Sequence, residues 1–274
     1  MRYPWHFMSM DTMKQNPRPC VLVFAGLDPS GGAGISADID AIGAVGAHAL
    51  PVVTALTVQD NDRVYAVNPV DASVIAQQAK VLMDKIPVAA VKVGIVGNRE
   101  NALAIRDAVV RLRQGNPSLP VVLDTVLGSG HGFALTEGVP EYALSPLVGL
   151  ATVITPNLPE AKRMYPKSDD IQEQAAYLMA QGAKGVLVKG GHGDEPDVVV
   201  NRWFSRDGGK HWQWHRLPGE FHGTGCTLAS AIAGFLAQGL PEEAALEKAQ
   251  QWCQHTLEQA FPIAGGQQIP GRHG

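Results

Sequence analysis

The 274-residue chain has only three cysteines, Cys20, Cys226 and Cys253, too few and too scattered for a disulfide framework or a zinc site. That scarcity fits a reducing, cytoplasmic compartment. Charged residues make up 18% of the chain, the formal net charge is -4 and the isoelectric point is near 6.1, so no basic surface is available for nucleic-acid phosphates. No stretch approaches the roughly 20 apolar residues that a membrane span requires. Residues 1–19 mix Trp5, His6, Asp11 and Lys14 with methionines, which is not the apolar core of a signal peptide. They read as a disordered leader, with Met8, Met10 or Met13 as alternative starts. Internal repeats, low-complexity tracts and composition breaks are absent too. What remains is 45% hydrophobic residues, enough for the core of one large α/β domain. That domain is expected over residues 20–262, followed by a loose glycine- and proline-containing tail over 263–274.

Short apolar runs alternate with helical patterns, the signature of a parallel sheet with crossover helices. Strands are predicted at residues 20–25, 50–56, 89–93, 121–124, 151–154 and 185–189. Helices are predicted at 35–45, 72–85, 98–113 and 171–181. The order suits a doubly wound sheet. Residues 197–204 and 210–216, joined by Arg206-Asp207-Gly208-Gly209, then predict an antiparallel hairpin at one edge. Two further helices at 224–238 and 241–260 close the fold. In such sheets ligands bind beyond the carboxyl ends of the strands, and glycines and polar residues cluster there.

The strongest local signal is His222-Gly223-Thr224-Gly225-Cys226-Thr227, directly before an apolar helix. Glycines let the backbone turn its amides inward and a helix N-terminus adds partial positive charge, which together suit a phosphate or the charge developing during its transfer. A plain glycine-rich helix start is the competing reading. By its position Cys226 is expected to have a lowered pKa and to react faster than the other two cysteines. A second strand–glycine–helix segment runs from Ala25 to Ile35, with Asp38 in the helix that follows. It has neither the lysine of a phosphate loop nor the spacing of a dinucleotide fingerprint. Asn157 and Glu160 follow a buried strand, one helical turn apart. They suit an ion such as Mg²⁺, which keeps several waters, and equally suit a helix cap. Asp124 at a strand end is a second candidate beside the metal. Lys189, at another strand end, offers a cation to nucleotide phosphates.

In order along residues 20–262, the chain carries Ala-Gly-x-Asp-Pro-Ser-Gly-Gly-Ala-Gly-Ile, Thr-Ala-Leu-x-x-Gln, Lys-x-Gly, Leu-Asp-Thr-Val, Thr-Pro-Asn-Leu-x-Glu-Ala, Lys-Gly-Gly-His and His-Gly-Thr-Gly-Cys. This combination resembles the ribokinase-like superfamily, and most closely its hydroxymethylpyrimidine/phosphomethylpyrimidine kinase branch. The resemblance implies a ribokinase-like α/β fold and MgATP-dependent phosphorylation of a hydroxymethyl group on a pyrimidine in thiamine biosynthesis. It implies a homodimer as well. It places Gly26, Ala33, Asp38, Gln59, Ile95, Val126 and Cys226 around the substrate. Asn157, Glu160 and Lys189 would serve the nucleotide, with Asp124 and Glu160 at the metal and Gly223, Thr224, Gly225 and Cys226 at the transferred phosphate. A carboxamide such as Gln59 offers both a donor and an acceptor to an aminopyrimidine edge.

The chain departs from its relatives in two places. Residues 127–133 lack the basic residue common there, which predicts poorer use of a phosphorylated substrate, and Glu220-Phe221 replaces Asn-Thr before the final motif. Pyridoxal kinase activity, a non-catalytic pyrimidine sensor and, from fold alone, a nicotinamide oxidoreductase remain alternatives.

Overall fold

A computed structural model describes residues 17–128, 133, 135–193 and 195–273. Most of the predicted leader and most of the 127–133 loop lie outside the described residues.

The first strand, β1 (Cys20–Leu27), is an unbroken apolar run because it is buried on both faces. Leu22 and Phe24 enter one core layer, while Val21, Val23 and Ala25 enter the other. Around it runs a nine-stranded sheet in the order β3-β2-β1-β4-β5-β6-β7-β8-β9. The other strands are β2 (His48–Gln59), β3 (Val64–Pro69), β4 (Val88–Val93), β5 (Val121–Leu123), β6 (Val153–Ile154), β7 (Gly185–Val188), β8 (Val198–Ser205) and β9 (Gly208–His215). From β2 to β7 every pairing is parallel. The predicted hairpin is β8–β9, which joins β7 antiparallel. A second antiparallel edge, β3 on β2, was not predicted. It contains Asn68 and ends on Pro69, residues that an edge strand tolerates and a propensity pattern rejects.

One face of the sheet is covered by α2 (Ala72–Lys85), α3 (Arg99–Gly115), α4 (Pro140–Val148), α5 (Leu158–Met164) and α6 (Ile171–Ala180). The other is covered by α1 (Gly34–Ala44), α7 (Thr224–Ala237) and α8 (Glu242–Glu258). No described helix is long and apolar enough to cross a membrane. The chain leaves β1 toward β2 on one side, and later returns to β4 on the other. The crevice beyond the carboxyl ends of β1 and β4 is therefore the topological switch point, where a doubly wound sheet opens for a ligand.

The tail is docked rather than loose. Phe261 pairs with Ile269 and Phe221 with Gln268. Ile269 and Arg272 are buried, and Asn61, in the β2–β3 turn, donates to the carbonyls of Gly265 and Gln267 at 3.0 and 3.1 Å. Backbone hydrogen bonds, invisible to composition, hold this segment.

Candidate active site

The glycine turn after β1 is shaped by Asp28. Its carboxylate accepts from the amides of Ser30 and Ala33 at 2.8 Å each, from the Ser30 hydroxyl at 2.9 Å, and pairs with His222 Nε2 at 2.8 Å. Burial pushes this carboxyl upward, but the His222 and Ser30 hydrogen bonds outweigh it and hold the group down at about 2. The Asp-Pro-Ser-Gly stretch is a side-chain-closed turn, and that signal could have singled out Asp28. The partnership with His222, from nearly two hundred residues away, could not be read locally.

α7 starts on Gly223, whose φ of +80° is in the left-handed region. A Cβ there would lie 2.1 Å from the Gly32 carbonyl oxygen, and a Cβ on Gly32 would lie 2.4 Å from the His222 ring. Only glycines let the two turns touch. Thr227 is the first residue of the helix whose amide bonds back, to Gly223. The amides of Thr224, Gly225 and Cys226 are thus the orphan donors of a helix N-terminus.

Two cavities meet there. One, of about 500 Å³, is lined by Gly26, Ala33, Gln59, Ile95, Val126 and Cys226 on one side and by Asp124, Asn157, Glu160 and Lys189 on the other. The second, of about 600 Å³, runs past Asn157, Lys189, Thr224 and Gly225 toward Trp214, with the exposed Glu220 at its rim. Every sequence-predicted site residue but one lines the first cavity.

Asp38 is the exception. It is fully buried, held by Lys92 Nζ at 2.8 and 2.9 Å and by the Ser230 hydroxyl at 2.7 Å. Burial works against the Lys92 ammonium, but the Asp38 carboxylate more than offsets it and raises its pKa. Lys-x-Gly has a local reason: a Cβ on Gly94 would lie 2.9 Å from Lys92 Nζ. Asp38 is thus engaged in a buried ion pair and lines neither cavity.

Lys189 Nζ lies 2.9 Å from Asp124 Oδ1, which also accepts from the Thr155 hydroxyl at 3.0 Å. Burial opposes both charges; Lys189 and Lys92 nevertheless hold the Asp124 carboxyl below its usual range, while Asp124 and Glu160 raise Lys189. Asn157 and Glu160 form a reciprocal capping box, with bonds of 2.8 and 2.9 Å. Glu160 Oε2 accepts from the Asn157 amide and the Thr125 hydroxyl; burial pushes the carboxyl up. Cap and site residue are compatible, because Glu160 Oε1 and Asp124 Oδ2 accept no hydrogen bond among the described residues. Two carboxylates with one free oxygen each fit Mg²⁺ held largely through water. The described residues contain no cluster of three or more His, Cys, Asp or Glu that could enclose an ion by protein ligands alone.

Cys226 departs from expectation. Burial pushes its thiol up to about 11, against a smaller opposing pull from Lys92. The nearby Gly34 amide, at the head of α1, adds a further small downward pull. Desolvation wins over the helix N-terminus, although the residue itself is half-buried and lines the cavity.

The sequence model of the family described as phosphomethylpyrimidine kinase matches residues 28–270. A hydroxymethylpyrimidine/phosphomethylpyrimidine kinase of Streptomyces coelicolor is 35% identical over 259 residues, 90% of this chain and 92% of its own. Its counterpart from Rhizobium meliloti is 36% identical over 90% and 93%. Among solved structures, a phosphomethylpyrimidine kinase from Clostridium difficile superposes with a TM-score of 0.74 at 31% identity, covering 88% of this chain and all of that one. A Bacillus subtilis pyridoxal kinase in complex with ADP superposes with a TM-score of 0.81 at 26% identity, over 93% and 97%.

Because alkylation requires the thiolate, Cys226 should react slowly with iodoacetamide at pH 7.5, and its rate should climb about tenfold per pH unit into the alkaline range. Cys253, buried and pushed up to about 12, should be slower still, and Cys20, half-buried like Cys226 but raised only by its own burial, should react first. Mass-spectrometric mapping over time tests the order. Labelling of Cys226 ahead of Cys20 at neutral pH would show a lowered pKa after all.

Proposed function

The chain belongs to the phosphomethylpyrimidine kinase family, and on that footing we propose that it transfers the γ-phosphate of ATP to the hydroxymethyl group of 4-amino-5-hydroxymethyl-2-methylpyrimidine and then to the resulting monophosphate. This places it in thiamine biosynthesis, in the cytoplasm, as a homodimer. The observation that carries the reading is the meeting of two cavities at one point lined by Asn157, Lys189, Thr224 and Gly225.

The pyrimidine occupies the 500 Å³ cavity, flat against the backbone at Gly26 and Ala33, between Ile95 and Val126, with its amino edge on the Gln59 carboxamide. The nucleotide lies in the 600 Å³ cavity, its phosphates reaching Lys189 and the amides of Thr224, Gly225 and Cys226. Gly225 leaves room for them, since a Cβ there would lie 3.2 Å from Lys189 Nζ. Asp124 and Glu160 would hold Mg²⁺, which would supply charge neutralisation to the phosphates. In-line transfer then forms the bond from the hydroxymethyl oxygen to the γ-phosphorus as the bond to the β-γ bridging oxygen breaks. Positioning and charge supply most of the rate. Cys226 accepts the hydroxyl proton. Its raised pKa makes it a strong base present in a small fraction at neutral pH.

A coupled assay with hydroxymethylpyrimidine, its monophosphate and pyridoxal in parallel tests the assignment. The first should turn over readily, the monophosphate less well because residues 127–133 contain no lysine or arginine, and pyridoxal least. Gln59→Leu should weaken pyrimidine use by two orders of magnitude or so while sparing ATP affinity, as a hydrogen-bonding site loses its discrimination when one side is apolar. A preference for pyridoxal would overturn the substrate, and pyrimidine binding without ATP consumption would mark a sensor.

The proton acceptor has its own test. A base with a raised pKa must be deprotonated to act, so kcat/KM should climb with pH through the alkaline range in the wild type. Cys226→Ala should lower kcat strongly and lose that climb while ATP affinity stays nearly intact. A flat wild-type profile, or near-wild-type kcat in the variant, would leave Cys226 as packing only.

A further inference from the structure

Arg272 is 2% exposed, yet no carboxylate pairs with it among the described residues. Its guanidinium donates instead to two neutral acceptors. Nη2 reaches the Gly32 carbonyl at 2.5 Å and Nε reaches the Thr227 hydroxyl at 2.9 Å. That hydroxyl in turn donates to the Gly223 carbonyl at 2.8 Å. One side chain thus grips both turns whose backbones touch at Gly32 and Gly223.

The segment around Arg272 is fixed on both sides. The Gly271 amide donates to the Thr256 carbonyl of α8 at 2.8 Å, and His273 Nε2 lies 3.4 Å from Asp40 Oδ2 on α1. Earlier in the same segment the Gln268 carbonyl accepts the His222 amide at 2.8 Å, and Gln267 lines both cavities. Burying a guanidinium without an opposite charge is unfavourable for the fold by itself. Packing could have been met by an apolar side chain of similar length. What an apolar side chain could not do is bond the Gly32 carbonyl and, through Thr227, the Gly223 carbonyl in one rigid fork.

We propose that Arg272 is a positioning residue for phosphoryl transfer, holding the substrate turn at Gly32 and the α7 N-terminus in the relative placement that aligns hydroxyl and phosphate. The inference rests on the kinase reading above. Arg272 touches no reacting atom; it acts through the backbone of Gly32 and Gly223. Its loss should therefore appear in kcat more than in either KM, since each half of the site persists but their alignment relaxes. A shift of about 1 Å at a reaction centre can cost about 100-fold in rate.

The experiment compares wild type, Arg272→Met, Arg272→Ala, Arg272→Lys and Thr227→Val in the full chain. Steady-state kinetics with hydroxymethylpyrimidine and ATP are read beside hydrogen exchange of the peptides spanning residues 28–36 and 222–228. Arg272→Met should lower kcat by about 10- to 100-fold with both KM values within about threefold, and should speed exchange selectively in those two peptides. Arg272→Lys should recover part of kcat, because one ammonium reaches only one acceptor well. Thr227→Val, which keeps the guanidinium but cuts its link to Gly223, should share the kcat loss, and millimolar guanidinium should partly restore Arg272→Ala, which leaves its space open. Unchanged kcat in a folded Arg272→Met enzyme, or a loss matched by faster exchange throughout the molecule with no recovery by lysine or guanidinium, would overturn the proposal. If the wild type turns over no pyrimidine, the kinase reading fails by itself. The exchange data then still decide whether Arg272 couples the two turns.

Discussion

The site depends on a contact between two backbones. The Gly32 carbonyl occupies the place where any side chain at position 223 would begin. One backbone belongs to the turn after β1 and the other to the start of α7, so a contact made far apart in the chain brings the wall of one cavity against the helix N-terminus that lines the other. Asp28 closes the first turn from inside and reaches His222 beside the second. Arg272 spans both from beneath. The doubly wound sheet supplies the place for this arrangement, because β1 and β4 diverge at the switch point.

Charge is organised around the same contact. Lys92 and Asp38 neutralise one another under the cavity floor with no solvent contact, and Lys189 pairs with Asp124 at the cavity wall. Each ammonium thus already has an anionic partner, and on the proposed reading an arriving polyphosphate competes with Asp124 for Lys189. On the proposed reading Asp124 and Glu160 would hold a divalent ion whose charge would offset that competition. The same enclosure that shields these pairs raises the Cys226 thiol. Desolvation and charge neutralisation thus act on one small volume, where fixed dipoles are worth more than they are in water.

Much of this was legible in the residues. Apolar runs buried on both faces marked the parallel strands, and predicted helix bounds at 72–85 and 171–181 lie within a residue of those observed. The ordered motifs placed Gly26, Ala33, Gln59, Ile95, Val126, Asp124, Asn157, Glu160, Lys189 and the Gly223 to Cys226 run on one cavity system. What was not legible depends on long-range contact. A solvated carboxylate and one buried against Lys92 look alike in a helical pattern, and the resemblance that set Asp38 around the substrate gave no sign of that ion pair. The pull of a helix N-terminus on Cys226 is local and visible, whereas the burial that overrides it is not. β3 and the 263–273 segment are held by backbone hydrogen bonds to distant partners, and their glycine, proline and polar residues read as loop. Arg272 gave no signal, since its acceptors are a carbonyl and a hydroxyl that any sequence could offer.

The central claim is that the two turns form one binding centre through the Gly32–Gly223 contact. It is tested most directly by calorimetric titration of the Gly223→Ala chain with hydroxymethylpyrimidine and, separately, with a non-hydrolysable ATP analogue and Mg²⁺. A Cβ at a φ of +80° and 2.1 Å from the Gly32 oxygen cannot be accommodated without parting the turns. Both affinities should fall together, with the fold retained by circular dichroism. Loss of nucleotide affinity with pyrimidine binding unchanged would show that the two cavities are independent, and would contradict the account.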